Sequence, residues 1–119
     1  MQKEELKDRT KKFALRIMKV VEALPKTISG RAIGNQIIRS GTSVAANYRA
    51  VCRSRSTAEF ISKLGVVIEE ADETSFWLEL IMESKLLDGN LLNPLLRETN
   101  ELTAIMVSSR ITSSKKSEI

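Results

Sequence analysis

Apolar side chains recur at spacings of three and four along almost the whole chain, and few residues interrupt the rhythm. Leu6, Phe13, Ile17, Val20, Val21 and Leu24 share one face, which predicts a first helix over 3–24. Pro25 ends it, because proline has no N–H to continue the ladder and restricts the residue before it. Ile33, Ile37, Val44, Tyr48 and Val51 predict a second helix over 29–54, with Ser29 as N-cap. Gly34 and Gly41 lie inside it, each costing about 1 kcal/mol against Ala, and they allow a neighbouring helix to come close. The third helix is expected over 57–87, capped by Ser56 or Thr57, with Phe60, Leu64, Val67, Ala71, Leu78 and Met82 inward. Asp88-Gly89-Asn90 is expected to stop it, with Gly89 left-handed past the helix end. The fourth helix is expected to begin at Asn93-Pro94, to bury Leu95, Leu96, Leu102, Ile105 and Met106, and to fray over about 113–119.

No stretch alternates with period two, and no Asn-Gly hairpin turn occurs. Short connections make consecutive helices antiparallel. The expectation is one all-α domain over 1–119, an antiparallel up-and-down four-helix bundle.

Several function classes fall away. There is no apolar run of the roughly 20 residues a membrane-spanning helix needs, and no signal-peptide pattern at the start. One cysteine, Cys52, allows no intrachain disulfide and points to a reducing, cytoplasmic setting. The absence of histidine removes most metal sites and imidazole acid–base chemistry. Gly34 to Gly41 lacks the Gly-Lys-Ser/Thr ending of a phosphate loop. Cys52 has no histidine to activate it. Glu69, Glu70, Asp72 and Glu73 are spread around a helix axis and read as a solvated or salt-bridged face. The sequence therefore reads as a non-enzyme with no catalytic residues, no cofactor and no metal.

Charge is segregated by helix. Residues 1–24 hold seven basic and four acidic side chains, and residues 25–55 hold six basic and none acidic. Residues 56–92 hold two basic and eight acidic, and residues 93–119 four basic and three acidic. On the second helix Arg31, Arg39, Arg49 and Arg53 fall within about 80° of one another at 3.6 residues per turn. They lie opposite Ile37, Val44 and Tyr48. Arginine favours bidentate contact with phosphate or carboxylate. On the first helix Arg9, Lys12, Arg16 and Lys19 form another basic strip. These strips fit a phosphate-binding surface for RNA or DNA. They equally fit a solvated face, or partners for the acidic third helix within or between subunits, or for an acidic protein. No aromatic lies among the strip residues, which argues against base stacking.

The third helix carries a second apolar set. Val66, Phe76, Trp77 and Leu80 project away from the inward stripe, interleaved with Glu69 and Glu73. An exposed aromatic cluster points to an oligomer interface. The plainer alternative is a wide stripe with Trp77 at the rim of the core. Leu15 and Met18 on the first helix also face outward.

Five stretches carry a family resemblance: Leu24-Pro25-Lys26; Gln36-Ile-Ile-Arg39-Ser-Gly-Thr-Ser43-Val-Ala-Ala-Asn47; Glu59-Phe60-Ile61-Ser-Lys-Leu64; Glu69-Glu70-Ala71-Asp72-Glu73-Thr74; and Trp77-Leu78. Over about residues 6–112 the chain resembles the bacterial four-helix-bundle family first noticed as open reading frames in intervening sequences of the 23S ribosomal RNA gene. The Arg-Ser-x-x-Ser-x-x-Ala-Asn pattern, here Arg39-Ser40, Ser43 and Ala46-Asn47, is its most specific part. Many members continue with Ile-Ala-Glu-Gly, where this chain has Tyr48-Arg49-Ala50-Val51, so no role for that carboxylate transfers. The resemblance implies a ring-like homo-oligomer, commonly a pentamer, and kinship with the basic accessory protein of diversity-generating retroelements. Ser40, Ser43 and Asn47 are expected to fix helix register or a subunit contact.

The leading expectation is a non-catalytic oligomeric bundle that binds RNA or DNA backbone through Arg31, Arg39, Arg49, Arg53, Lys12, Arg16 and Lys19. The alternative is a protein-interaction scaffold whose basic strip receives an acidic partner or a neighbouring subunit.

Overall fold

The computed structural model describes residues 2–117 and contains four helices: α1 (Lys3–Ala23), α2 (Ile28–Cys52), α3 (Thr57–Glu83) and α4 (Gly89–Ser117). Each helix packs on the next in sequence, and α4 returns to α1, so the chain closes an up-and-down bundle of about 52 × 21 × 20 Å. No strand occurs among the described residues. The apolar faces meet along the axis, where Phe13, Ile17, Ile37, Leu64, Leu78 and Met106 are fully buried. Tyr48 is buried on the core face of α2, as its spacing requires.

The turns differ in detail from the sequence expectation. The N-cap of α2 is Thr27 rather than Ser29; its hydroxyl accepts from the Gly30 N–H at 3.1 Å, so Ser29 already lies within the helix. Gly30 is needed here because a Cβ would sit 2.0 Å from the Pro25 carbonyl oxygen. Ser56 caps α3 as expected, accepting from the Glu59 N–H at 3.1 Å. The helix stops four residues early, at Glu83, because Lys85 takes the left-handed conformation with φ 61°. The Leu86 N–H then reaches the Ile81 carbonyl and the Lys85 N–H the Met82 carbonyl, both at 3.1 Å. That is a Schellman termination with lysine where glycine usually stands. Gly89 is not left-handed; it opens α4, and Asp88 supplies the cap by accepting from the Asn90 N–H at 2.9 Å. Pro94 therefore lies inside α4, where it withholds a donor from the Asn90 carbonyl. The helix continues through 113–117, part of the stretch expected to fray, and residues 118 and 119 lie outside the described residues.

Three contacts set how the helices meet. At the α1–α2 seam, Gly41 faces Ile17, and a Cβ on Gly41 would stand 2.8 Å from both Ile17 Cγ atoms. At the α2–α3 seam, the buried Thr74 hydroxyl donates to the buried Ser40 hydroxyl at 2.9 Å. Ser40 can in turn donate to the Ile37 carbonyl at 3.3 Å. At the α1–α4 seam, Arg9 grips Glu98 with two hydrogen bonds of 2.8 and 2.6 Å and reaches Glu101 at 2.8 Å. These carboxylates hold the Arg9 guanidinium above its ordinary pKa. Elsewhere α1 and α4 approach least closely of the neighbouring pairs.

Candidate nucleic-acid interface

Packing the core side of α2 onto α1 and α3 leaves its opposite side in solvent. Arg31, Arg39, Arg49 and Arg53 are all exposed there. Arg31, Arg49 and Arg53 form no ion pair among the described residues, so their charge is unspent.

Arg39 is different. It spans the α2–α3 seam and binds both Glu70, at 3.0 Å, and Glu73. Glu73 also accepts from the Trp77 indole at 3.2 Å. The hydrogen bond from Arg39 is the main reason the Glu73 carboxyl is held below its ordinary range. Arg39 thus serves the joint between two helices and offers little free charge to a ligand.

The seven cations singled out in the sequence do not form one patch. Lys12 pairs with Asp8 one turn back at 2.8 Å. Arg16 and Lys19 are exposed and face the α4 side, on the rim of a groove lined by Val20, Leu87, Leu91 and Leu95. Arg49 lies on the other flank of α1, at a groove of about 510 Å³ between α1 and α2. Lys7 and Lys11 stand across that groove from it, with Thr42, Ala45 and Ala46 as its α2 wall and Glu4 and Asp8 on α1. Lys7 and Lys11 are absent from the sequence-derived strip. Their signal was their position on the α1 wheel, one turn apart and away from Lys12, Arg16 and Lys19.

The outer residues of α3 divide into two kinds. Val66 and Phe76 are 41% and 50% exposed, whereas Trp77 and Leu80 are half-buried. Phe76 stands edge-on to Trp77 with ring centroids 5.0 Å apart, and Trp77 packs against the core. The Arg39–Glu73–Trp77 chain of hydrogen bonds borders this patch.

The Asn47 amide donates to the backbone carbonyl of Ser43 one turn back at 2.8 Å. Cys52 is half-buried near Tyr48; burial, and then the neighbouring thiol, push the Tyr48 hydroxyl pKa up. Among the described residues no cluster of three or more His, Cys, Asp or Glu side chains could hold a metal ion, and no helix is long and apolar enough to cross a membrane.

The model of the 23S rRNA-intervening sequence protein family matches residues 2–108. A crystal structure from Bacteroides thetaiotaomicron, of a protein with unknown function from the S23 ribosomal protein family, is 32% identical, with a TM-score of 0.82. The likeness covers 87% of this chain and 96% of that one. No curated protein matches the sequence.

Proposed function

The chain belongs to the 23S rRNA-intervening sequence protein family, and we propose that it is a non-catalytic, oligomeric bundle of the cytoplasm that binds RNA or DNA backbone along the outer face of α2. The observation that supports this most is the set of exposed guanidiniums of Arg31, Arg49 and Arg53, unpaired among the described residues, in a stretch, residues 25–55, without a single acidic side chain. Arg31 and Arg49 are separated by about 27 Å along the helix at 1.5 Å per residue, the length of a track rather than a point site. Arginine forks suit phosphate oxygens, and Lys11 beside Arg49 adds to the positive surface, whereas Lys7 is taken by Glu4 at 3.5 Å. With no aromatic on the strip, binding follows charge rather than base identity. Assembly of several copies repeats the strip and strengthens its field. Val66, Phe76, Trp77 and Leu80 on α3 are the proposed contact to a neighbouring copy.

The test is binding of a short single-stranded RNA to the full chain, read by fluorescence anisotropy across salt. Three phosphates neutralised per protomer give a log–log slope of about −2, hence about a twentyfold loss of affinity between 50 and 200 mM salt. Arg49→Ala with Arg53→Ala removes two of them and flattens the slope to about −0.7. Affinity that ignores salt, or is unchanged in this variant, defeats the proposal. The second reading is an acidic protein partner, whose carboxylates would meet the same exposed guanidiniums of Arg31, Arg49 and Arg53. It gains if RNA is ignored while an acidic peptide binds and is lost in the same variant.

A further inference from the structure

The α1–α4 groove and the outer face of α3 are complementary in both apolarity and charge. The groove, about 260 Å³, has Val20, Leu87, Leu91 and Leu95 in its lining and Arg16 and Lys19 at its edge. Leu91 is 72% exposed, far more than a bundle needs of a leucine in its own helix. Arg16 and Lys19 have no ion pair among the described residues. The outer face of α3 presents Phe76 and Leu80 beside Asp72, Glu79 and Glu83, exposed acids that are likewise unpaired among the described residues. One surface is therefore apolar with basic edges, and the other apolar with acidic edges.

We infer that the outer face of α3 in one copy docks into the α1–α4 groove of the next. This rests on the oligomeric reading above and names its second surface. The two surfaces occur at the same height. In an up-and-down bundle α1 and α3 run the same way, so residues 16–23 of α1 and 76–83 of α3 both lie at the end bearing the α1–α2 and α3–α4 turns. Copies standing side by side and parallel bring them together without sliding. Symmetric alternatives are poorer. Two α3 faces would set Asp72, Glu79 and Glu83 against their own kind, and two grooves would oppose Arg16 and Lys19 to themselves. The contact uses different surfaces on the two copies, so it propagates head to tail and builds a ring where the turn per copy closes.

The test compares native mass for the full chain and three variants: Arg16→Glu with Lys19→Glu, Glu79→Lys with Glu83→Lys, and all four together. All four side chains are exposed and outside the core, and circular dichroism checks that helicity is unchanged. Each double variant should raise the oligomer dissociation constant at least about tenfold, and the fourfold variant should return it toward the wild-type value. A wild-type protein that is monomeric overturns the oligomeric reading together with this interface. A wild-type oligomer that both double variants leave intact keeps that reading and overturns this interface alone. Double variants that dissociate with no recovery in the fourfold variant also overturn it.

Discussion

Replacing Gly41 with Ala measures how tightly α1 and α2 pack at their seam. Two effects oppose. Alanine in place of a mid-helix glycine gains about 1 kcal/mol of helix propensity. The added methyl stands 2.8 Å from Ile17 Cγ1 and Cγ2 and 3.1 Å from Cβ. Both branches of a fully buried side chain are blocked, and a β-branched residue in a helix has essentially one χ1 rotamer. Ile17 cannot swing aside, so α1 must move, and overpacking belongs at the top of its usual range, about 3 kcal/mol. The net expectation is a loss of about 2 kcal/mol, read from urea unfolding at fixed protein concentration. Gly34→Ala is the control. Its Cβ would meet Leu24 Cδ1 at 3.4 Å and Val21 Cγ1 at 3.6 Å, both ordinary van der Waals contacts, so the propensity gain survives and stability rises by up to about 1 kcal/mol. Ile17→Ala should cost about 3–4 kcal/mol alone, and Gly41→Ala in that background should stabilise, because the clashing atoms are gone. If Gly41→Ala stabilises the protein as much as Gly34→Ala does, the argument from Ile17 overpacking is refuted.

Lys85→Gly should stabilise the fold by about 1 kcal/mol, seen as a higher melting temperature, because the left-handed conformation that ends α3 carries a steric cost for lysine and none for glycine. Thr74→Val should cost about 1 kcal/mol by deleting the hydroxyl that links α3 to Ser40, and adding Ser40→Ala should recover part of it; a fully additive double variant would deny that the two hydroxyls act as a pair. Glu73 has a folded pKa below its unfolded value, so its contribution is present above the ordinary carboxylate range and is lost as pH falls through the folded value. Unfolding midpoints at about pH 6 and pH 3 should therefore fall further in wild type than in Glu73→Gln.

The helices were legible because their apolar periodicity is long and their breaks are few. What the pattern cannot carry is the chemistry of a turn. Gly89 and Pro94 look like a stop and a start, yet Asp88 caps the intervening residues into α4, and Pro94 loses one hydrogen bond inside it. Lys85 carries no left-handed signal at all; the turn imposes that conformation because Leu86 and Leu87 pack against the core. Thr10 is polar and not part of the apolar stripe of α1, yet fully buried and satisfied by the Leu6 carbonyl four residues back at 2.8 Å, as Thr99 on the inward face of α4 is by that of Leu95. The basic strips show the deeper limit. A wheel gives the angle of Arg39 relative to Arg49 and nothing about what the neighbouring helix brings to either. Glu70 and Glu73 meet the first and leave the second in solvent. In the same way the rotation of α1 sends Arg16 and Lys19 toward α4 and Lys7 and Lys11 toward Arg49.

The excess of base on α2 and of acid on α3 looks, as a net balance, like a pair of helices that neutralise each other. Among the described residues they do so through Arg39. Arg39 takes two carboxylates across the seam, while Glu69, Asp72, Glu79 and Glu83 point away from α2 and Arg31, Arg49 and Arg53 point away from α3. Antiparallel neighbours touch along one flank each, so residues on the outer faces are beyond each other's reach whatever their charge. Exposed pairs at that distance would be largely screened at physiological salt. Segregation of charge by helix therefore contributes little to holding this fold together, and its consequence lies at the surface. It gives the bundle one acidic and one basic side, separated by the Arg39 joint. A chain built that way can present carboxylates to another copy while keeping its guanidiniums for phosphate. Strip variants on α2 should then lower RNA affinity and leave native mass unchanged, whereas interface variants on α3 should lower native mass and reach RNA affinity only through the loss of assembly.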